Sequence, residues 1–128
     1  MKKKILIVSA NYYSQISKNL LNNAKKTLGN KFILKIVNVP GAFEIPVIIS
    51  RYIKNYHGAI ALGCIIKGQT PHFNFISQAI TNSLIDLSVS NKKPIGNGVL
   101  TCLNRKQAHQ RYNKGKEAAK AVINVISL

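Results

Sequence analysis

The residues with the clearest capacity for chemistry lie in one segment, residues 62–73, which reads LGCIIKGQTPHF. Lys67, Thr70 and His72 supply a cation, a hydroxyl and an imidazole, and only the imidazole titrates near neutral pH. The segment begins as the end of an apolar strand, turns through Gly68 and Pro71, and continues as a helical pattern. Backbone N–H groups at such a turn bind anions, although a plain helix start at Thr-Pro would use the same residues. We therefore predict an anion site beside a proton-transfer group, with an ordinary connection as the alternative.

A second candidate for chemistry is Glu44, one of only three acids in the chain. It stands among Ala, Phe and Ile where a loop enters a short helix. A helix dipole would favour an acid at this position without any further role. The scarcity of carboxylates favours a role in a site.

These residues must be positioned by secondary-structure elements. The pattern of apolar residues predicts that strands and helices alternate along the chain. We predict strands at residues 4–10, 31–39, 59–66 and 95–103. A helix is predicted after each strand. The first helix begins with Ser14 as its cap and ends at Gly29. The second has Pro46 in its first turn, and the third begins at His72. A polar turn at residues 104–113 leads to the last helix. Such alternation is typical of an α/β protein with a parallel sheet covered on both faces.

In a parallel sheet, ligands bind beyond the carboxyl ends of the strands. The residues expected there are Tyr12, residues 40–44, residues 67–72 and residues from 104 onwards. This rim would combine an aromatic ring, a carboxylate, an anion cradle and an imidazole. Such a set could bind a flat polar molecule and a phosphate. No nucleotide-binding glycine motif and no metal-ligand spacing is found in the sequence. Gly96 and Gly98 inside the fourth strand predict a bulge or a close approach by another group.

Length and composition predict one domain over residues 1–128. The chain has 46% hydrophobic residues, enough for a sizeable core. No apolar stretch is long enough to span a membrane. Cys64 and Cys102 form no C-x-x-C motif and have apolar neighbours, which is typical of reduced core thiols in a cytoplasmic protein.

The formal net charge of +16 is the strongest compositional bias. A charge of this size is common in nucleic-acid-binding proteins. However, the basic residues are scattered and nearly all are Lys, the exceptions being Arg51, Arg105 and Arg111. Nucleic-acid recognition favours Arg. We therefore expect the charge to attract anionic ligands, and keep a nucleic-acid-binding module as the weakest alternative.

The same rim residues resemble the lumazine synthase family of riboflavin biosynthesis. The matching segments are residues 40–46 (PGAFEIP), 62–73 (LGCIIKGQTPHF), 98–101 (GVLT) and 113–115 (NKG). They occur in the family's order and spacing, and the resemblance covers nearly the whole chain. It implies a single-domain, flavodoxin-like, three-layer α/β/α sandwich with a four-stranded parallel sheet.

The resemblance also implies a reaction. The family condenses 5-amino-6-(D-ribitylamino)uracil with 3,4-dihydroxy-2-butanone 4-phosphate to 6,7-dimethyl-8-ribityllumazine, with release of phosphate and water. This is the penultimate step of riboflavin biosynthesis, and it uses neither a metal nor an organic cofactor.

Residue roles follow from the matching positions. His72 is implied as the general acid/base. The residues implied for the ribitylaminouracil are Tyr12, Ala42, Phe43, Glu44, Cys64, Ile65, Ile66, Asn97 and Lys114. The residues implied for the butanone phosphate are Gln69, Thr70 and Arg111. Within these sets, Tyr12 corresponds to the stacking aromatic, and Glu44 to the carboxylate that binds ribityl hydroxyls.

The family builds its site between subunits, so the resemblance implies a homopentamer or a larger shell. Asn97, Arg111 and Lys114 would then come from the adjacent chain. Two of the departures from the family bear on the site: Asn97 stands where a Phe is usual, and the loop between Arg111 and Asn113 is several residues shorter. These departures leave open, as an alternative, an impaired ligand-binding or scaffold protein.

Overall fold

The protein was analysed as a computed structural model, which describes residues 1–68 and 71–128. Gln69 and Thr70, two predicted phosphate-binding residues, lie outside the described residues. The strands of the described part are β1 (Lys3–Ala10), β2 (Phe32–Val39), β3 (Gly58–Ile66) and β4 (Ile95–Cys102). Its α-helices are α1 (Ser14–Leu28), α2 (Ile45–Tyr52), α3 (His72–Asn91), α4 (Arg105–Gln110) and α5 (Lys114–Ile126). Short 3-10 turns at Ala42–Glu44 and Ile53–Asn55 flank α2.

The strands form a parallel sheet in the order β2-β1-β3-β4 within the described residues. This confirms the predicted α/β class. The strands are continuous apolar runs, as expected of strands that are buried on both faces. Ile5 to Val8, for example, are fully buried.

Two apolar cores cover the two faces of the sheet, which gives the predicted three layers. One face packs against α1 and α5, through Leu20, Ala24, Ala119 and Val122. The other packs against α2 and α3, and its buried members include Ile45, Ile49, Ile80 and Leu84. Residues three and four apart on each helix reach the sheet, because 3.6 residues complete a helical turn. Ser17 in α1 donates a buried hydrogen bond to the carbonyl of Ala10, which ties this helix to the end of β1.

The structure corrects two local predictions. Ser14 is the first residue of α1 and not its cap; Tyr13 occupies the cap position without a side-chain hydrogen bond. The predicted polar turn at 104–113 contains the short helix α4, whose cap is Asn104, because its side chain accepts a hydrogen bond from the backbone of Gln107 at 2.9 Å. Six residues are too few to show an apolar period, and of these only Ala108 is buried.

Candidate active site

The first group of predicted site residues lies at the carboxyl ends of β1, β2 and β3. Tyr12 follows β1 and is 75% exposed. The turn Ala42–Glu44 follows β2 and packs directly on the neighbouring strands: a Cβ atom on Gly63 would lie 3.2 Å from the Cβ of Ala10 and 3.7 Å from that of Ala42. Alanine and glycine at these positions therefore allow the turn to lie close to the sheet, with Phe43 exposed and Glu44 half-buried.

The end of β3 contributes the other members of this group, which we call the rim cluster: Tyr12, Ala42–Glu44, Cys64, Ile65, Ile66 and His72. Ile65 and Ile66 are half-buried, and the strand is extended by a backbone hydrogen bond from Lys67 to Cys102 at 2.9 Å. His72 is exposed at the first residue of α3, as the sequence predicted. The imidazole therefore stands where β3 turns into α3.

Cys64 is buried in the rim cluster and adjoins Cys102. Burial, followed by the neighbouring Cys102 and a hydrogen bond to that thiol, raises the pKa of Cys64 to about 12. The thiol is therefore protonated at neutral pH, which makes it a poor nucleophile. The segment therefore offers a site its backbone groups rather than a reactive thiol.

The second group lies along the outer edge of β4, in a cavity of about 520 Å³ between α3 and α5. Asn97, Arg111 and Lys114 line this cavity, which we call the edge cavity. Arg111 and Lys114 stand at the end of α4 and the start of α5, so the shortened loop keeps both cations beside the strand. The cavity therefore combines two cations with polar groups and can hold an anionic or strongly polar ligand.

Asn97 has a structural contact of its own in this cavity. Its side-chain oxygen accepts a hydrogen bond from the backbone N–H of Val99 at 3.0 Å. Val99 belongs to the edge strand β4, so Asn97 satisfies a backbone donor of that strand. An amide therefore occupies the wall of the cavity where, by the resemblance, a phenylalanine ring is usual.

The edge cavity also contains residues that sequence reasoning did not select, among them Thr81, Thr101, Asn113 and Glu117. Glu117 could have been found by the argument that selected Glu44, because it is another of the three acids. It lies one helical turn after Lys114, so both side chains share a face of α5. Thr101 lies in the matching segment 98–101, although no role was assigned to it, whereas Thr81 gave no signal because its position depends on how α3 packs beside β4.

The rim cluster and the edge cavity are separate groups in one chain. Of the rim residues that the structure describes, none lines the edge cavity. Each group is incomplete for two substrates: the rim cluster has the imidazole and the carboxylate, while the edge cavity has the two cations. Such a division is typical of sites completed by a neighbouring subunit.

In residues 1–68 and 71–128, no group of three or more His, Cys, Asp or Glu side chains could hold a metal ion. No helix in the described part of the chain combines the length and hydropathy needed to cross a lipid bilayer.

Comparison with known proteins gives a uniform result. A family model for 6,7-dimethyl-8-ribityllumazine synthase matches residues 2–128. The chain is 41% identical to the 6,7-dimethyl-8-ribityllumazine synthase of Afipia carboxidovorans, over 98% of this chain and 85% of that protein. It is 42% identical to the enzyme of the same name from Bartonella henselae, over 99% of this chain and 88% of that protein. The chain therefore belongs to the 6,7-dimethyl-8-ribityllumazine synthase family.

Proposed function

We propose that this chain is a transferase of riboflavin biosynthesis that condenses 5-amino-6-(D-ribitylamino)uracil with 3,4-dihydroxy-2-butanone 4-phosphate. The products are 6,7-dimethyl-8-ribityllumazine, inorganic phosphate and water. The observation that carries this proposal is the division of the site residues into a rim cluster with an imidazole and an edge cavity with two cations, in a member of this family. We further propose one domain over residues 1–128 and a cytoplasmic location, in which the buried thiols Cys64 and Cys102 stay reduced.

The rim cluster is proposed to bind the pyrimidine substrate. Tyr12 offers an exposed aromatic face for stacking, and the half-buried carboxylate of Glu44 can accept hydrogen bonds from ribityl hydroxyls. Ala42 and Phe43 contribute the turn beside them. Cys64, Ile65 and Ile66 contribute backbone groups at the end of β3, where the edge of the ring would lie.

The butanone phosphate is proposed to bind next to His72. Gln69 and Thr70 would form the phosphate cradle at the turn before α3, and Arg111 would add a bidentate charged contact. Lys114 and Asn97 would face the pyrimidine from the other side. Fixing both substrates in register supplies much of the rate, because the bimolecular step becomes effectively unimolecular.

His72 is proposed as the general acid/base. Condensation of the substrate amine with the ketone forms an imine and releases water, and elimination then breaks the C–O bond to phosphate. Attack of the ribitylamino nitrogen on the remaining carbonyl closes the ring and releases a second water. These steps transfer protons near neutral pH, which is the range in which an imidazole is effective. The position of His72 at the start of α3, next to the proposed cradle, supports this role.

We propose a homopentamer as the active assembly, with the edge cavity of one subunit facing the rim cluster of the next. The large apolar side chains that α3 leaves uncovered support an assembly: Phe75 is 68% exposed, Ile85 58% and Val89 70%. Exposed apolar surface of this kind marks interfaces between proteins. Whether pentamers join into a larger shell is a question for sedimentation analysis.

A spectroscopic assay with both substrates tests the function. We expect the lumazine chromophore to appear well above the uncatalysed background, and His72→Ala to lower kcat about 10²- to 10⁴-fold. His57→Ala is the matched control. His57 lies at the opposite, amino end of β3, where it accepts a hydrogen bond from the backbone of Lys4, and its loss should leave kcat unchanged.

Two outcomes would contradict the proposal. Full activity of His72→Ala would exclude the imidazole from proton transfer. Absence of product from the unaltered protein, with the pyrimidine still bound, would mean that the chain retains the family's binding site without its reaction.

A further inference from the structure

Three side chains at the rim form a continuous stack, in which Tyr13 and Arg105 have no proposed role and the third member is Tyr12. The guanidinium carbon of Arg105 lies 5.1 Å from the centroid of the Tyr13 ring. The Tyr13 ring in turn meets that of Tyr12 edge to face, with centroids 4.9 Å apart and planes at 80°. Both geometries are attractive, the first as a cation–π contact and the second as an aromatic pair.

The inner part of the stack is held firmly. Tyr13 is half-buried and packs on the core between the sheet and the layer of α1 and α5. Arg105 is the first residue of α4, and two hydrogen bonds hold that helix start: Gln107 N–H donates to the side chain of Asn104, and the side chain of Gln107 accepts from Leu103 N–H at 2.8 Å. The guanidinium and the Tyr13 ring therefore approach each other from anchored segments.

The outer member, Tyr12, is 75% exposed, and the ring contact that the structure records for it is the one with Tyr13. An exposed ring has several rotamers available, and a ligand that stacks on it must select one. Contact with the anchored ring of Tyr13 reduces the number of rotamers that Tyr12 can adopt before the ligand binds.

We propose that Arg105 is a positioning residue for the pyrimidine substrate, acting through Tyr13 on the ring of Tyr12. This inference rests on the proposed function of Tyr12 as the stacking surface. Since Arg105 would act on the preorganisation of the binding ring and not on proton transfer, its loss should weaken pyrimidine binding and leave kcat unchanged.

The ionisation state of Tyr13 is compatible with the stack. Burial, the neighbouring Tyr12 and the neighbouring Cys64 raise the pKa of Tyr13 above its usual 10.0, and the positive charge of Arg105 lowers it. The first three influences prevail, so the phenol remains neutral throughout the neutral range. The contact with Arg105 is therefore cation–π in character at working pH.

The test compares Arg105→Met with Lys106→Met. Both variants remove one positive charge from neighbouring exposed positions of α4, but Arg105 is the one recorded against the Tyr13 ring. We expect Arg105→Met to raise the pyrimidine Kd, measured by calorimetry, and the pyrimidine KM by roughly two- to fivefold. We expect kcat and the KM of the butanone phosphate to stay unchanged, and Lys106→Met to leave all four values unchanged.

Three further variants separate positioning from a general loss of structure. Tyr13→Phe keeps the ring and should bind the pyrimidine normally, whereas Tyr13→Leu should behave like Arg105→Met. Arg105→Lys keeps a cation over the ring and should recover most of the affinity. Urea unfolding of each variant checks that the fold is retained.

The outcomes distinguish this inference from the proposed function. If Tyr12→Leu weakens pyrimidine binding and Arg105→Met does not, the positioning role is wrong while the function stands. If Arg105→Met and Lys106→Met weaken both substrates alike, general electrostatic attraction replaces the stack as the explanation. If the unaltered protein binds no pyrimidine, both proposals are overturned.

Discussion

At the scale of single residues, burial decides what the reactive side chains can do. Cys64 and Cys102 are 38 positions apart in the sequence, which predicted that both are reduced core thiols. The structure confirms that both are buried and free, and adds that they touch across β3 and β4. The contact follows from the pairing of these strands, in which Cys64 lies opposite Leu100 and Cys102 opposite Ile66. Neither thiol is therefore available for chemistry with the substrates.

The raised pKa of Cys64 has a consequence for stability at high pH. In the unfolded chain this thiol ionises near its ordinary pKa of 9.0, while in the folded chain its pKa is about 12. Between these values the unfolded state releases a proton that the folded state keeps, so stability falls as pH rises. We expect the free energy of unfolding to fall more steeply in the unaltered protein than in Cys64→Ala between pH 8.5 and about 10.

Urea unfolding at a series of pH values measures this difference in slope, which should reach up to about 1 kcal/mol per pH unit. The slope, rather than the stability itself, is the quantity to compare, because Cys64→Ala also removes packing. Tyr13, whose pKa is also raised, is present in both proteins, so its contribution largely cancels when the two slopes are compared. Parallel curves for the two proteins would contradict the burial of the thiol.

At the scale of elements, small residues decide how closely α5 approaches the sheet. The glycines of β4 predicted either a bulge or a close approach, and the structure shows the second. The pairing of β3 with β4 continues without a break from Ala59 with Ile95 to Ile66 with Cys102. A Cβ atom on Gly96 would lie 2.3 Å from the carbonyl oxygen of Ala118 in α5. Glycine therefore lets the backbone of the helix lie directly on the strand, which places Lys114 and Arg111 beside the edge cavity.

Gly96→Ala should accordingly force α5 away from β4. We expect a loss of about 1–3 kcal/mol in the free energy of unfolding, measured with urea, because a well-packed core accommodates an added methyl group poorly. Ala118→Gly should not rescue the variant, since the clash is with a backbone oxygen. Gly68→Ala is the matched control: its Cβ would meet no atom of the described residues within 4 Å, and the cost should be below about 0.5 kcal/mol.

At the scale of the whole molecule, the rim cluster and the edge cavity occupy different places on one chain. A ring with head-to-tail contacts brings one group of each subunit against the other group of its neighbour. The proposed pentamer would therefore complete every site between two chains. The net charge of +16 would add a positive potential that attracts the phosphorylated substrate to these sites.

This arrangement predicts complementation between inactive variants. His72→Ala damages the rim cluster and Arg111→Ala the edge cavity, so a mixed ring contains some sites with both halves intact. For equal, random mixing we expect roughly a quarter of the sites to be intact and activity to recover accordingly. The measurement is lumazine formation by the two proteins purified separately and after co-expression.

The matched control mixes His72→Ala with Glu44→Gln. Both changes lie in the rim cluster, so no site in the mixed ring has an intact cluster and activity should not recover. Failure of the His72→Ala and Arg111→Ala mixture to recover, with assembled rings present, would place the complete site within one chain.

The local sequence determined most of the secondary structure of this protein, because the patterns that indicate strands and helices involve residues close in sequence. The apolar runs of β1 and β3, the stop at Gly29 and the start of α3 at His72 were all predicted correctly, since strand and helix periods involve near neighbours. The alternation of elements then led to the parallel sheet and to the rim at which Tyr12, Glu44 and His72 stand. The family motifs added residue roles that periodicity cannot supply.

Tertiary structure decided what depends on distant segments meeting. Strand order and helix packing produce three features of this kind. They are the contact of Cys64 with Cys102, the edge cavity lined by Thr81 and Glu117, and the stack of Arg105 on Tyr13. The short helix α4 escaped prediction because one buried residue cannot define a period. Long-range contacts carry no local pattern, since their energy comes from surfaces that only the folded chain brings together.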